Sequence, residues 1–118
     1  MNYLRLYAGP DGETHFEDVE FRVSPIPGRS GTGSAWPANG AIFLASQEGN
    51  RDLDAWHNAP ARQFVVQLSG EAEYEASDGE VRRLGPGGVM LVEDTTGKGH
   101  RARHFGERTA IHIPLAGG

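Results

Sequence analysis

No cysteine occurs in the 118 residues, which excludes disulfides, a thiolate nucleophile and any zinc–thiolate centre. Lys98 is the only lysine and the net charge is −5, so no broad basic surface exists to neutralise phosphates and a nucleic-acid partner is not expected. Arg82, Arg83, Arg101 and Arg103 gather in the second half, but acidic residues are interspersed and the group reads as a solvated sheet face. Long apolar runs are missing too. Met1–Tyr7 has no stretch suited to a signal peptide or a membrane span, and a cytoplasmic protein without a membrane partner is the simplest expectation. There is no G-x-S-x-G for a serine nucleophile, and Gly31-Thr32-Gly33 lacks the strand–helix setting of a dinucleotide fingerprint.

What is present is turn chemistry. Seventeen glycines and seven prolines punctuate a chain that is 37% hydrophobic, enough for one modest core and one domain over residues 1–118. No segment has a convincing helical period, and the fold class is all-β.

Short β-like runs follow one another. Tyr3–Tyr7 leads to the turn Gly9-Pro10-Asp11-Gly12 and to a second run over His15–Val23. Ser24–Asn39 reads as an irregular arm with Trp36 as its large apolar anchor, and Ala41–Ser46 as a short strand followed by a polar loop at Glu48–Asp54. Gln63–Leu68 alternates Phe64, Val66 and Leu68 against Gln63, Val65 and Gln67, and Ser69-Gly70 reads as a hairpin turn into Glu71–Ala76. Ser77-Asp78-Gly79 signals a tight hairpin to Glu80–Leu84, and Gly85-Pro86-Gly87-Gly88 turns the chain into Val89–Val92. A loop at Glu93–Gly99 precedes strands over His100–Phe105 and Glu107–Leu115.

The stretch His57–Gly70 (HNAPARQFVVQLSG) resembles the first motif of the cupin superfamily, H-x-H followed by Glu and a closing glycine. His57 takes the first histidine position, Ala59 stands for the second, Gln63 for the glutamate, and Gly70 matches the glycine. The second motif is matched by Gly88, Gly97 and His100, with Thr95 in place of proline and His104 at the Asn position. The segments W-H-x-A-P, R-Q and E-D-T-T-G-x-G-H are similar to those of small bacterial cupin-domain proteins. The resemblance implies a single antiparallel, jelly-roll-like β-barrel, with strands and arm in residues 1–40 and both motifs in 41–118. It also implies a small-molecule pocket inside the barrel, a homodimer, and a divalent metal (Zn, Ni, Fe or Mn) on His57, Gln63 and His100. Cupins include oxygenases, isomerases, lyases, binding modules and storage proteins, so the reaction stays open.

A barrel brings His57 and His100 together across its interior, where two imidazoles can share a metal or move a substrate proton. Gln63 offers only a neutral carbonyl oxygen. His100, Ala102 and His104 share one strand face, but four residues along a strand span about 13 Å, so His104 is expected deeper, hydrogen-bonding rather than ligating. His112 alternates against Ile111 and Ile113 and points towards the same cavity, although a satisfied structural histidine is the plainer reading there and at His15. Gln67 and Glu93 complete the possible pocket residues; Asp94 and Thr95 are candidate rim groups of a metal-free acid–base site, although turn residues bonding their own backbone are the plainer reading of both. Arg62 faces away from Gln63, towards the surface. Three functions remain open: a metal-assisted enzyme with His57, Gln63 and His100 as its catalytic set, a ligand-binding or sensing module, and a metal-free acid–base isomerase or cyclase. Phe64, Val66 and Leu68 supply either the dimer contact or a face packed on the amino-terminal strands.

Overall fold

The computed structural model describes residues 1–46 and 55–117, so the loop read at Glu48–Asp54 lies outside the described residues. Among those residues there is no helix. Nine strands follow one another: β1 (Asn2–Ala8), β2 (Thr14–Glu20), β3 (Ser24–Pro25), β4 (Thr32–Gly33), β5 (Ile42–Ser46), β6 (Gln63–Ala76), β7 (Val81–Leu84), β8 (Val89–Val92) and β9 (His100–Pro114). The seven longer strands form one sheet in the order β2-β1-β8-β6-β9-β5, with β7 beside β6, and β3 and β4 make a small ladder within the arm. No helix of the described residues is long and apolar enough to cross a membrane.

One expected turn is not a turn, and one expected pair of strands is continuous. Ser69-Gly70 lies inside the 14-residue β6, and Gly106 inside the 15-residue β9, so Gln63–Leu68 and Glu71–Ala76 are one strand, as are His100–Phe105 and Glu107–Pro114. The register between β6 and β9 jumps around Ser69, from Gln67 opposite Ala110 to Glu71 opposite Phe105, which is a β-bulge that bends both strands. Gly70 and Gly106 have φ of +72° and +71°, a conformation that lets the chain bend without reversing.

The bend makes β6 and β9 the spine of two half-sheets. The first half of β6 pairs with β8, the second half with β7, and β9 runs along the other side of both. β1 joins β8 in parallel, Leu4 beside Met90, which departs from an all-antiparallel sheet; strands this far apart in the chain need no hairpin to meet. The outer strands β2 and β5 do not pair with each other, so the sheet is bent and open rather than closed into a barrel.

Each face of the sheet has its own apolar cluster. Leu4, Leu6, Val65, Tyr74, Met90 and Val92 form the inner one. On the outer face Phe64, Leu91 and Leu115 are covered by Tyr3, Phe21 and Trp36, with the Trp36 ring edge-on to Phe64 at 4.8 Å. The face of Phe64 therefore packs on the amino-terminal segment, as one of its two sequence readings has it, and leaves only Leu68 largely exposed. Four of the arginines of the second half are answered by carboxylates, Arg82 by Asp18, Arg83 and Arg103 by Glu73, and Arg101 by Glu75.

Candidate functional site

Residues 57–59 and the loop before β9 are locked together by backbone bonds. His57 and His100 exchange both N–H···O bonds, at 3.0 and 2.9 Å, and Ala59 N donates to Asp94 O at 3.2 Å. Asn58 Nδ2 donates to the carbonyls of Asp94 and Gly97, Thr14 Oγ1 to the carbonyl of Gly99, and Glu93 N to that of Leu6. Gly99 has φ of +77°, and a Cβ there would lie 2.3 Å from the His57 carbonyl oxygen, so only glycine lets the two histidines pair so closely.

Pairing at the backbone puts both imidazoles on one side, with ring centroids 4.6 Å apart and planes tilted by 56°. His100 is buried, and its Nδ1 donates to Asp94 Oδ2 at 2.6 Å; Asp94 has no solvent exposure at all. His57 is exposed, and its Nδ1 donates to the carbonyl of Ala55 at 3.1 Å. A carboxylate and a carbonyl can only accept, so each ring carries its proton on Nδ1 and keeps Nε2 for a ligand or a transferred proton.

The histidines border a cavity of about 370 Å³. Gln63, His104 and His112 line it as well, together with Tyr74 and Arg108, and Val65, Met90 and Val92 form apolar wall. Four of the five histidines of the chain thus meet one space. The fifth, His15, sits at the surface between Asp11 and Asp78. Gln67 is buried behind the wall, its amide held by the carbonyl of Ser69 and by Arg108. Glu93 is not a lining residue: it accepts from Arg5 Nε at 2.6 Å and Arg62 Nε at 2.5 Å, which turns it to the other face of the sheet. Burial pushes the Glu93 carboxyl up, but the bonds from Arg5 and Arg62 outweigh it and hold the group below the usual range.

Sequence reasoning set one group aside and missed another. Asp94 is a buried partner of His100 rather than a self-bonded turn residue, because the loop through Gly97 and Gly99 folds back and brings it beside a histidine six residues on. Arg108 carried no motif, yet it alternates in phase with Ala110 and His112, and that phase was the available signal.

A metal centre here would need at least three protein donors. Two free Nε2 atoms are suited to one, but no group of three or more His, Cys, Asp or Glu side chains able to hold an ion is found among the described residues, and Gln63 adds only a neutral amide. The set does not fit a three-donor metal centre.

Burial, and after it the charge of Arg108, holds the His112 imidazole below its ordinary 6.5, whereas burial pushes the Tyr74 phenol above its usual 10. A histidine depressed in the folded state contributes stability that is complete above the unfolded value near 6.5 and is lost as pH falls through the folded one. Urea unfolding between pH 7 and 5 is therefore expected to show a smaller loss of stability for His112→Gln than for the native chain.

The fold and site define an open, bent, all-β domain with a histidine-lined internal cavity. No family model matches the chain, and no curated protein matches it.

Proposed function

We propose that the chain is a cupin-type protein that works as a metal-independent acid–base enzyme on a small molecule held in the cavity. The observation that carries this reading is the contact between His100 and the fully buried Asp94. A carboxylate on Nδ1 orients the ring, sets its tautomer and stabilises the imidazolium formed when Nε2 takes a proton. His57, 4.6 Å away and exposed, is placed to pass that proton between His100 and solvent or to return it at a second substrate position. An isomerisation, epimerisation or elimination needs such a pair, one group to remove a proton and one to supply it. The cupin assignment itself rests on the register of His57, Gln63, Gly70, Gly97 and His100 and on a glycine-bent sheet around a histidine-lined cavity.

The test is turnover in a mixture. Purified protein is incubated with a small-molecule cell extract, with and without EDTA, and the mixture is followed by mass spectrometry and chromatography. The native chain is expected to convert at least one compound to an isomer or a dehydrated product, with His100→Ala inactive and EDTA without effect. Conversion abolished by EDTA and restored by a divalent ion would replace this reading with the metal-assisted one. No conversion by the native chain would leave a binding module.

A further inference from the structure

We infer that Arg108 is an anion receptor and that the molecule held in the cavity carries a carboxylate. The inference rests on the acid–base reading only in calling that molecule a substrate. Arg108 is 7% exposed, lies on β9 beyond the bulge and lines the cavity. Its two hydrogen bonds go to neutral acceptors: Nη2 to Gln67 Oε1 at 3.1 Å and Nη1 to His104 Nε2 at 2.9 Å. A guanidinium only donates, so His104 accepts here through Nε2 and carries its proton on Nδ1.

Among the described residues no carboxylate forms an ion pair with Arg108. The contrast with the more exposed arginines is clear, where Arg5, Arg62, Arg82 and Arg101 each meet a glutamate or aspartate. A buried cation held by neutral acceptors is positioned without being neutralised, and desolvating a guanidinium is unfavourable unless an anion completes it. Among the described residues three of its five N–H groups have no acceptor, the buried Nε among them. Gln67, fully buried and fixed through Nε2 to the carbonyl of Ser69, holds the fork in place before any ligand arrives. Tyr74 and His112 line the same cavity as Arg108.

A planar fork matches a carboxylate, and a single cation suits one negative charge better than the two of a phosphate ester. The remaining wall, with Ile42, Leu44, Val65 and Met90, suits an apolar body on that acid. The ligand class is a small organic monocarboxylate.

Benzoate and its neutral isostere benzamide are the probes. Binding is measured by calorimetry and by the imidazole nitrogen resonances of the full chain, for the native protein, Arg108→Gln and His100→Ala. The native chain is expected to bind benzoate on the order of tenfold or more tighter than benzamide, with shifts at His104 and His112. Arg108→Gln should lose that preference, and His100→Ala should keep it. Equal binding of the two probes, no binding of either, or a preference that survives Arg108→Gln would overturn the inference. Should Arg108→Gln not fold, the native comparison decides. A preserved benzoate preference without any turnover in extract would sink the acid–base reading alone; turnover of neutral compounds with no preference would sink the anion receptor alone.

Discussion

Gly70→Ala is expected to abolish stable folding at room temperature. Gly70 has φ of +72°, and a Cβ there would stand 2.2 Å from the carbonyl oxygen of Glu107 and 2.9 Å from Arg108 Cα. The left-handed conformation alone costs an L-residue about 1–2 kcal/mol. The contact is the larger effect, because its obstacles are backbone atoms of β9 and yield only if β6 and β9 separate at the bulge. Overpacking adds about 1–3 kcal/mol where neighbours can adjust, and more where they cannot. Set against a total of about 5–15 kcal/mol for a domain of this kind, the loss is most of the stability. Gly79→Ala is the control. Its φ is +96° and nothing lies within 4 Å of the added methyl group, so it bears the backbone cost alone. Urea unfolding should give a cooperative transition for Gly79→Ala, shifted by about 1–2 kcal/mol, and little or none for Gly70→Ala. Equal midpoints would mean that β9 can move away from Gly70 freely, and that the bulge is not a rigid corner.

The same glycine shows where the sequence can be read and where it cannot. A glycine after a serine, between two alternating runs, is the local signal both of a hairpin and of a bulge, and nothing in residues 63–76 distinguishes them. The distinction lies in β9, where Gly106 provides the matching bend some 36 residues away in the chain. Alternation was more informative. It placed Phe64 and Val66 on the face opposite Gln63 and Val65, and it brought His100, Ala102, His104 and His112 to one cavity. Arg108 keeps the same phase and lines the same cavity, but no reading of the sequence drew on it. Burial is what alternation does not give. Asp94 and Glu93 are adjacent acids in one turn-like segment, yet Glu93 is bridged by Arg5 and Arg62 on one face while Asp94 is sealed on the other against His100. Only long-range pairing, of β1 with β8 and of His57 with His100, separates their roles.

Asp94→Asn is expected to leave the fold largely intact while removing the acid–base function. Alanine is the cruder change: it leaves the buried Nδ1–H of His100 without an acceptor, a loss of about 1–3 kcal/mol, and opens a void in a fully buried place. Asparagine keeps the volume but not the charge. Its amide can offer a donor where Oδ2 accepted, and His100 then does best by carrying its proton on Nε2, the nitrogen that the mechanism needs bare. For a histidine used as a general base in this way, the wrong tautomer lowers turnover by about 10³–10⁴-fold. Two measurements separate function from stability. The His100 Nδ1 proton, shared with a carboxylate at 2.6 Å, should give a far-downfield resonance in the native chain that is absent from Asp94→Asn. Conversion of the compound found in extract should fall in the same variant while its urea midpoint stays close to native. If turnover survives the loss of that resonance, His100 is a structural histidine whose buried partner steadies the loop before β9, and the proton must be moved by His57 alone.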